Sequence, residues 1–366
     1  MMNTSVLNNE SLLDFYDGDL FPPCTETVCS IFSIKILIPI TIVCLVITIA
    51  GLIGNTITIL IIKRYKEMKT TTNFYLSSMA VSDIIILLCL PFDLYRMWRF
   101  TPWIFGKFLC KSLALISEGC TYSTILHITA LSIERYLAIC FPLKAKVFIT
   151  KRRVKIVIAF LWVIALLSAS PLYNLFDNIR VVNETDSSKT IWECRYTKYA
   201  SDSGLLMIMM WVTTVYFFCP MFCLTILYGF IGKTLWKNRN CIRGPNAANR
   251  ERSHRQTVKI LAVVVLAFVV CWLPFHIGRL IYVYTTSIHV MRISQYFNIV
   301  AMQLFYLNAS INPILYNLIS KKYRTAAYRL LRLARPDERA YNVIKEETGG
   351  HTEISTFTHN EYITQI

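Results

Sequence analysis

Seven long runs of apolar residues divide the chain, and each is near the ~20 residues that a helix needs to cross a bilayer. Numbered spans 1 to 7, they are Ile36–Ile62, Thr72–Leu94, Leu109–Ile139, Val154–Leu172, Leu205–Ile231, Ile260–Ile281 and Ile293–Leu318. Several contain a proline, as at Pro91, Pro220, Pro274 and Pro313. Proline remains compatible with a membrane helix, because neighbouring helices and water satisfy the carbonyl groups that it leaves without a donor. The pattern predicts an all-α membrane protein built as a bundle of seven transmembrane helices.

Composition and charge agree with this fold class. Of the 366 residues 55% are hydrophobic and only 16% are charged, whereas soluble proteins carry about 25% charged residues. A formal net charge of +16 could indicate nucleic-acid binding, but the basic residues are concentrated after spans 1, 3, 5 and 7, and residues 1–34 contain no lysine or arginine. Because positive loops stay in the cytoplasm, we expect an extracellular N-terminus and a cytoplasmic C-terminus. The net charge is then explained by topology, and we expect no nucleic-acid partner.

The segment before span 1 has the features of an extracellular segment. Met1–Phe21 has neither the basic start nor the apolar core of a cleavable signal peptide, so we expect span 1 to serve as an uncleaved anchor. Glycosylation acceptor triplets begin at Asn3, Asn9 and Asn183, all on segments predicted to lie outside. A further triplet at Asn308 lies within span 7, where the glycosylating enzyme has no access.

Four of the twelve cysteines lie on the predicted outer side. Cys110 opens span 3 and Cys194 lies between spans 4 and 5, so a bond between them would hold that loop over the mouth of the bundle. The compartment there is oxidising, and the bond would persist. Cys24 and Cys29 then either bond to each other or remain free thiols. The other cysteines are expected to be small apolar side chains or cytosolic thiols, since their spacing does not indicate a metal site.

Polar and aromatic residues stand at particular places in the spans. They are Asn55 in span 1, Asp83 in span 2, Glu134-Arg135-Tyr136 at the end of span 3, Cys271-Trp272-Leu273-Pro274 in span 6 and Asn312-Pro313-Ile314-Leu315-Tyr316 in span 7. In this order and on these helices, they resemble the rhodopsin-type family of G-protein-coupled receptors over residues 35–332. The resemblance implies a receptor that binds a ligand outside the cell and activates a heterotrimeric G protein inside it.

A closer resemblance is to the group of motilin and ghrelin (growth-hormone secretagogue) receptors. It is carried by Thr70–Leu76, by Gln256–Lys259, and by Ser294–Tyr296 through Ser320–Arg324. Features more like the motilin branch are Pro22–Cys29, Phe92–Arg96, Arg243–Pro245 and Arg250–Arg252. The outer loop, residues 172–202, is shorter than in mammalian members of that branch, which suggests a non-mammalian form. The resemblance implies a peptide hormone ligand, motilin first and ghrelin as the alternative, with Gq coupling and calcium release.

An ionisable side chain inside the membrane is costly, so Asp83 in the middle of span 2 requires a partner. The family pattern places an allosteric sodium ion here, and residues with hard oxygen ligands stand at the matching positions. These are Asp83, Thr124, Asn308 and Asn312. The alternative is a protonated Asp83 that Asn55 and water molecules satisfy. No other cofactor is expected.

Three further ionisable residues, Asp93, Glu118 and Arg279, lie toward the outer ends of their spans. At ~1.5 Å per residue, Glu118 lies ~25 Å from Arg135 along span 3, and Arg279 lies about two turns beyond Trp272. A Glu118–Arg279 pair would hold both charges in low dielectric, either as a structural strut or as groups that exchange with a ligand. The resemblance places these residues at a peptide-binding cavity. Its aromatic lining would be Phe275, His276, Tyr296, Phe297, Phe305 and Tyr306.

The family pattern also implies a switch. Trp272, two residues before Pro274, would sense the floor of the cavity and shift the lower half of a bent helix. At the cytoplasmic face Arg135 would contact the G protein when span 6 moves outward. The other residues at switch and G-protein positions are Glu134, Tyr136, Tyr228, Asn312, Pro313 and Tyr316. Where many relatives carry an acid near the inner end of span 6, this chain has Ser253-His254-Arg255, so we expect a weaker inactive lock and some ligand-free signalling.

The predicted domains are an extracellular segment 1–34, the bundle 35–319, an amphipathic cytoplasmic helix 320–333 and a flexible tail 334–366. Lys321–Leu333 has basic and apolar residues at helical spacing, which favours contact with anionic lipids of the inner leaflet. No cysteine follows Cys271, which excludes a palmitoyl anchor there. Threonines and a serine in the tail predict phosphorylation and arrestin binding. The last residues, Thr364-Gln365-Ile366, match the form of a PDZ ligand.

Two rival functions share a many-span architecture. A secondary transporter would show inverted repeats and paired broken helices, but the seven unequal spans show no internal repetition. An intramembrane enzyme would need a metal pair or a nucleophile and a base at depth. His127 and His276 are lone histidines, and neither an HExxH nor a Gly-x-Ser-x-Gly pattern occurs. The sequence therefore favours a receptor without enzymatic activity.

Overall fold

A computed structural model describes residues 30–331 apart from 31, 100, 184–185, 239–244 and 285–287, with the backbone alone for some segments inside helices and strands. The seven predicted spans are seven long helices. They are α1 (Ile34–Arg64), α2 (Thr71–Trp98), α3 (Gly106–Cys140), α4 (Lys151–Ala169), α5 (Leu205–Asn238), α6 (Pro245–Tyr284) and α7 (Ile288–Ile319). A further helix, α8 (Lys321–Leu330), follows after Ser320, and two short helices, Pro142–Phe148 and Lys198–Asp202, lie after α3 and before α5. The predicted seven-helix bundle is confirmed.

Except for α4, the helices are longer than the apolar runs that predict them, because their polar ends continue the same backbone hydrogen bonding. The largest difference is at α6, which begins at Pro245 and not near Ile260. Proline is favoured in the first turn of a helix, and the alanine, arginine and glutamate residues that follow it are good helix formers. The basic segment before span 6 is thus partly a helical extension of that span.

Among the described residues, five helices are long and apolar enough to cross a membrane by length and composition alone. The other two, α3 and α7, have 35 and 32 residues, so length does not distinguish them. Both carry polar residues that turn toward the centre of the bundle, among them Glu118 and Thr124 on α3 and Asn308 and Asn312 on α7. The polar interior therefore lowers the apolar character of these two helices.

The helices pack around α3. Helix α1 packs against α2 and α7, α7 packs against α6, and α3 contacts α2, α4 and α5. Every residue from Gly119 to Ile125 of α3 is buried, although a helix at the edge of a bundle buries only one face. Helix α3 is therefore the central element of the bundle.

A β-hairpin covers one end of the bundle. Strand β1 (Phe176–Asn183) pairs antiparallel with β2 (Asp186–Tyr196), and Asn178 lies opposite Cys194. Cys194 forms the expected disulfide with Cys110 at the start of α3. We call this end of the bundle the disulfide end. The loop between spans 4 and 5 was predicted as a pinned loop, and the strand pairing within it was not predicted.

Polar contacts reinforce the hairpin beside the disulfide. The backbone N–H of Trp103 donates to the carbonyl of Trp192 at 2.7 Å, and Lys107 of α3 forms an ion pair with Asp177 at 3.1 Å. Burial alone would raise the pKa of Asp177, but Lys107 and the backbone N–H of Asn178 outweigh it and lower that pKa. The hairpin is thus attached to α3 on both of its strands.

Helix α8 lies against α1 at the opposite end. Tyr323 of α8 shares a hydrogen bond with Thr58 of α1, and Arg329 forms a 3.6 Å ion pair with Glu67. Ala326 and Ala327 are buried on the same face, as expected for an amphipathic helix. The side chain of Ser320 caps α8 by accepting from the N–H of Tyr323. The predicted helix after span 7 is present, and it ends at Leu330.

Candidate ligand cavity and switch

Glu118 and Arg279 form an ion pair between α3 and α6. Arg279 donates to Oε1 of Glu118 at 2.9 Å. The side chain of Glu118 is only 13% exposed, and that of Arg279 is 25% exposed. The guanidinium also lies 5.1 Å from the centre of the Phe275 ring, in cation–π geometry. The second oxygen of Glu118, Oε2, is buried and has no hydrogen-bond partner among the described residues. The pair therefore ties two helices together and still leaves one charged acceptor open.

Asp93 bonds to a tyrosine on the neighbouring helix α7. The hydroxyl of Tyr306 on α7 donates to Oδ2 of Asp93 on α2 at 2.5 Å. Tyr306 is fully buried. The three ionisable residues predicted at the outer level are thus divided into two groups, Glu118 with Arg279 and Asp93 with Tyr306.

The predicted aromatic residues fall into separate environments. Phe275 and Phe305 both contact Trp272 edge-to-face, with ring centres 5.5 and 4.9 Å away. His276 is 3% exposed and stacks on Phe217 of α5 at 4.4 Å. Tyr296 is 46% exposed and contacts Phe32 edge-to-face, and Phe297 is half-buried beside Gly278. Phe275 and Phe305 therefore connect the Glu118–Arg279 region to Trp272, while His276 packs toward α5.

A second cluster of polar side chains surrounds Asp83, which is 1% exposed. Asn312 donates to Oδ2 of Asp83 at 3.0 Å. Oδ1 of Asp83 and the hydroxyl of Thr124 are buried without a hydrogen-bond partner among the described residues. Asn55 donates to the carbonyls of Gly51 and Ala309, so its amide hydrogens are directed away from Asp83.

These residues fit a monovalent hard cation. A buried carboxylate with an open oxygen is costly unless a charge or a donor reaches it. Oxygen ligands suit hard cations, and Asn308 is buried with the other three. Within the described ranges, no group of three His, Cys, Asp or Glu side chains could hold a metal ion, as expected for a set with one carboxylate.

Arg135 is restrained by its neighbour at the end opposite the hairpin. It donates to Oε1 of Glu134 at 2.6 Å, and Thr71 of α2 donates to the same oxygen at 2.6 Å. The hydroxyl of Tyr228 lies 3.4 Å from Ser132 of α3, and Tyr136 contacts Phe141 edge-to-face. The positions Ser253-His254-Arg255 belong to α6, but their side chains are outside the described part.

Several predicted positions lie outside the described residues. They are Asn3, Asn9, Cys24, Cys29, the phosphorylation sites of the tail and Thr364-Gln365-Ile366. Asn183 ends β1 and Tyr316 lies in α7, both with the backbone alone. Pro274 and Pro313 lie inside α6 and α7. The roles assigned to these residues remain sequence predictions.

The bundle and its motifs define a class of protein, and a family comparison identifies it. The model of the 7 transmembrane receptor (rhodopsin family) matches residues 54–316, a range that contains every motif from Asn55 to Tyr316. The chain belongs to this family of seven-transmembrane receptors. The resemblance seen in the motifs is therefore confirmed, and neither a transporter nor an enzyme is supported.

Individual relatives place the chain more narrowly. It is 50% identical to the motilin receptor of Homo sapiens, over 90% of this chain and 89% of that protein. It is 48% identical to the growth hormone secretagogue receptor type 1 of Mustela putorius furo, over 88% and 89%. A neuromedin U receptor homolog of Caenorhabditis elegans is 34% identical, over 82% and 80%. The chain thus belongs to the receptor group that contains the first two.

Two contacts in the site were not predicted. Tyr306 was placed among the cavity aromatics, and its bond to Asp93 gives it a polar role. Thr71 was part of a resemblance segment, and it contacts Glu134. A buried tyrosine usually finds a hydrogen-bond partner, so the presence of Tyr306 and Asp93 at one membrane depth was the available signal. For Thr71 the sequence offered no comparable signal.

Proposed function

We propose that this protein is a plasma-membrane receptor for a short peptide hormone, most like motilin, and that it activates a Gq-class G protein. The observation that carries the proposal is the Glu118–Arg279 pair, in which the buried Oε2 of Glu118 has no hydrogen-bond donor among the described residues, in a chain 50% identical to a motilin receptor. Ghrelin is the alternative ligand, because a growth hormone secretagogue receptor is nearly as similar, at 48%. The proposed orientation has the disulfide end outside.

The cavity chemistry supports a peptide with a cationic group and apolar side chains. Open carboxylate acceptors attract an ammonium group, and charge-assisted hydrogen bonds are the stronger ones. Phe275 and Phe305 offer aromatic faces between the ion pair and Trp272. A cavity that is mostly apolar with a few oriented polar groups is the usual form of a ligand site.

Signal transfer would run through Trp272 to the end of the bundle that contains Arg135. Trp272 is 2% exposed and contacts Phe275, Phe305 and Phe268, so a ligand that moves either cavity phenylalanine must move the indole. Pro274 lies one half-turn away and weakens the local helix ladder. Packed cores respond to such shifts in discrete steps, and outward movement of α6 would expose Arg135 to the G protein.

A sodium ion would bind between α2, α3 and α7. Asp83, Thr124, Asn308 and Asn312 would hold it, and its charge would compensate the buried Asp83 carboxylate. Such an ion would favour the arrangement in which the four side chains are close together. A ligand that favours another arrangement would then bind less tightly when sodium is present, because coupling between two sites is reciprocal.

At the inner face we propose two further partners. Helix α8 would lie on anionic lipid headgroups through its lysines and arginines, since it has no cysteine that could carry a palmitoyl chain. Phosphorylation of the tail would add negative charge that arrestin recognises through basic residues.

The test is calcium release in cells that express the full chain, challenged separately with motilin and with acylated ghrelin. We expect a response to motilin at far lower concentration. A preference for ghrelin would assign the chain to the secretagogue branch, and silence to both peptides with confirmed surface expression would overturn the ligand and coupling proposals. The Arg135→Ala variant controls for signals that bypass the receptor, because it should bind peptide without releasing calcium.

A further inference from the structure

Two acidic side chains of the cavity are held in different ways. Glu118 bonds to a cation, Arg279, on the neighbouring helix. Asp93 bonds to a neutral phenol, that of Tyr306. Within the described part of the chain, no lysine, arginine or histidine nitrogen lies within ion-pair distance of Asp93. One of the two carboxylates is thus paired in charge, and the other is only oriented.

The nearest arginine on α2 does not change this picture. Arg96 is one turn from Asp93, but its guanidinium lies over the rings of Trp103 and Phe176, at 6.0 and 5.8 Å. These rings belong to the segment before α3 and to β1. The positive charge of Arg96 acts on Asp93 through space, but its guanidinium is engaged with the hairpin side and forms no ion pair with that carboxylate. The oxygens of Asp93 therefore remain available to a cation that enters the cavity.

Tyr306 is itself held firmly. Its ring is fully buried and contacts Phe305 edge-to-face at 5.0 Å. Its backbone carbonyl accepts from Ser310, which also donates to the carbonyl of Ile47 on α1. A donor fixed in this way orients its acceptor without the entropic cost of ordering at the moment of binding.

We propose that Tyr306 is a positioning residue whose hydroxyl orients the Asp93 carboxylate as a second cation-binding position, separate from the Glu118–Arg279 pair, for a cationic group of the peptide ligand. The proposal rests on the function proposed above. The hydroxyl occupies Oδ2 of Asp93 and leaves the acceptor capacity of Oδ1 for the ligand. The Tyr306–Asp93 bond is not needed to join α2 and α7, since the hydrogen bond between Asn312 and Asp83 already joins these helices.

A double-mutant cycle separates the two roles. Motilin potency is measured for the parent receptor, Tyr306→Phe, Asp93→Asn and the double variant, each corrected for surface expression. We expect about a tenfold loss for Tyr306→Phe, the value of a hydrogen bond to a charged group, and a larger loss for Asp93→Asn. In the Asp93→Asn background, Tyr306→Phe should have no further effect, because it acts only through that carboxylate.

The matched control is Tyr216→Phe. This change also removes one tyrosine hydroxyl with a hydrogen bond, here to Ser168 between α5 and α4, and potency should stay within about twofold of the parent, as for an independent site. Equal losses for Tyr306→Phe with and without Asp93 would overturn the proposal and indicate a structural role. So would an unchanged potency for Tyr306→Phe in the parent background.

A measurement without ligand tests this inference independently of the proposed function. In the infrared spectrum of the purified receptor, the carboxyl band of Asp93 is identified by its loss in Asp93→Asn. We expect Tyr306→Phe to shift that band and Tyr216→Phe to leave it in place. A band that does not move in Tyr306→Phe contradicts the proposal even if both peptides are inactive, while a shifted band with silent peptides contradicts only the choice of ligand.

Discussion

Arg279 of α6 and Glu118 of α3, separated by 161 residues in the chain, are joined by a 2.9 Å hydrogen bond inside the bundle. The pair has two candidate roles, as a structural strut and as a ligand-binding group. The pair exists, as the sequence predicted, but a strut and a ligand-binding group would both look like this in the free receptor. The two roles predict different results when the charges of the two residues are exchanged between the helices.

The exchange variant Glu118→Arg with Arg279→Glu distinguishes these roles. Each single change places two like charges side by side inside the bundle. Removing one partner of a buried pair already costs about 3–5 kcal/mol, so both single variants should have lower surface expression. The double variant restores the ion pair and should restore expression. If Glu118 also binds the ligand, the double variant will reach the surface without responding to motilin, as measured by calcium release. A normal response from the double variant would show that the pair is only a strut.

The Cys110–Cys194 disulfide should be required for ligand binding. Removing a native disulfide typically costs about 2–5 kcal/mol, and here it would release β2 from the mouth of the bundle. We expect Cys194→Ser to abolish binding of labelled motilin at the cell surface. Cys219→Ser is the control, because Cys219 is an exposed free cysteine on α5. Full binding by Cys194→Ser would mean that the Lys107–Asp177 pair and the Trp103–Trp192 hydrogen bond hold the hairpin without the bond.

Sodium should weaken agonist binding through Asp83. We expect labelled motilin to bind about fivefold or more weakly in sodium chloride than in choline chloride of equal ionic strength, within the usual range of coupling between two sites. Asp83→Asn removes the only carboxylate of the set and should make binding insensitive to the choice of salt. A sodium effect that persists in Asp83→Asn would place the ion elsewhere.

Docking of α8 should depend on the Tyr323 hydroxyl. Tyr323→Phe keeps the buried ring and removes the hydrogen bond to Thr58, a loss of about 1 kcal/mol. In a chain of this size we expect the thermal unfolding midpoint of the purified receptor to fall by about 2 °C. Tyr328→Phe on the same helix is the control, since Tyr328 is 49% exposed. Equal midpoints for Tyr323→Phe and the parent would show that the buried alanines of α8 are sufficient.

Ligand-free signalling should exceed that of mock-transfected cells. Arg135 bonds to Glu134, which Thr71 also contacts, and the segment Ser253-His254-Arg255 supplies no acid from α6. We expect His254→Glu to lower basal inositol phosphate production by adding the missing restraint, while His254→Gln should not. Basal output equal to that of mock-transfected cells would contradict the weak-lock hypothesis.

The sequence by itself determined the number of membrane-spanning helices, their order and the class of the protein. These depend on local properties, namely apolar runs of membrane length, basic segments between them and motifs at fixed places within a helix. The Cys110–Cys194 bond was also predictable, because topology left few cysteines on the outer side. The Glu118–Arg279 pair was foreseeable for a similar reason, since two opposite charges at one depth must meet or remain costly.

Only the tertiary structure decided which side chains face each other across the bundle. The partner of Asp93 is Tyr306, Thr71 bonds to Glu134, His276 stacks on Phe217, and the loop between α4 and α5 is a hairpin. Each contact depends on how far a helix is rotated about its axis and tilted against its neighbours, and packing against those neighbours sets both angles. A one-dimensional pattern gives the depth of a residue in the membrane, but only the assembled bundle gives its direction.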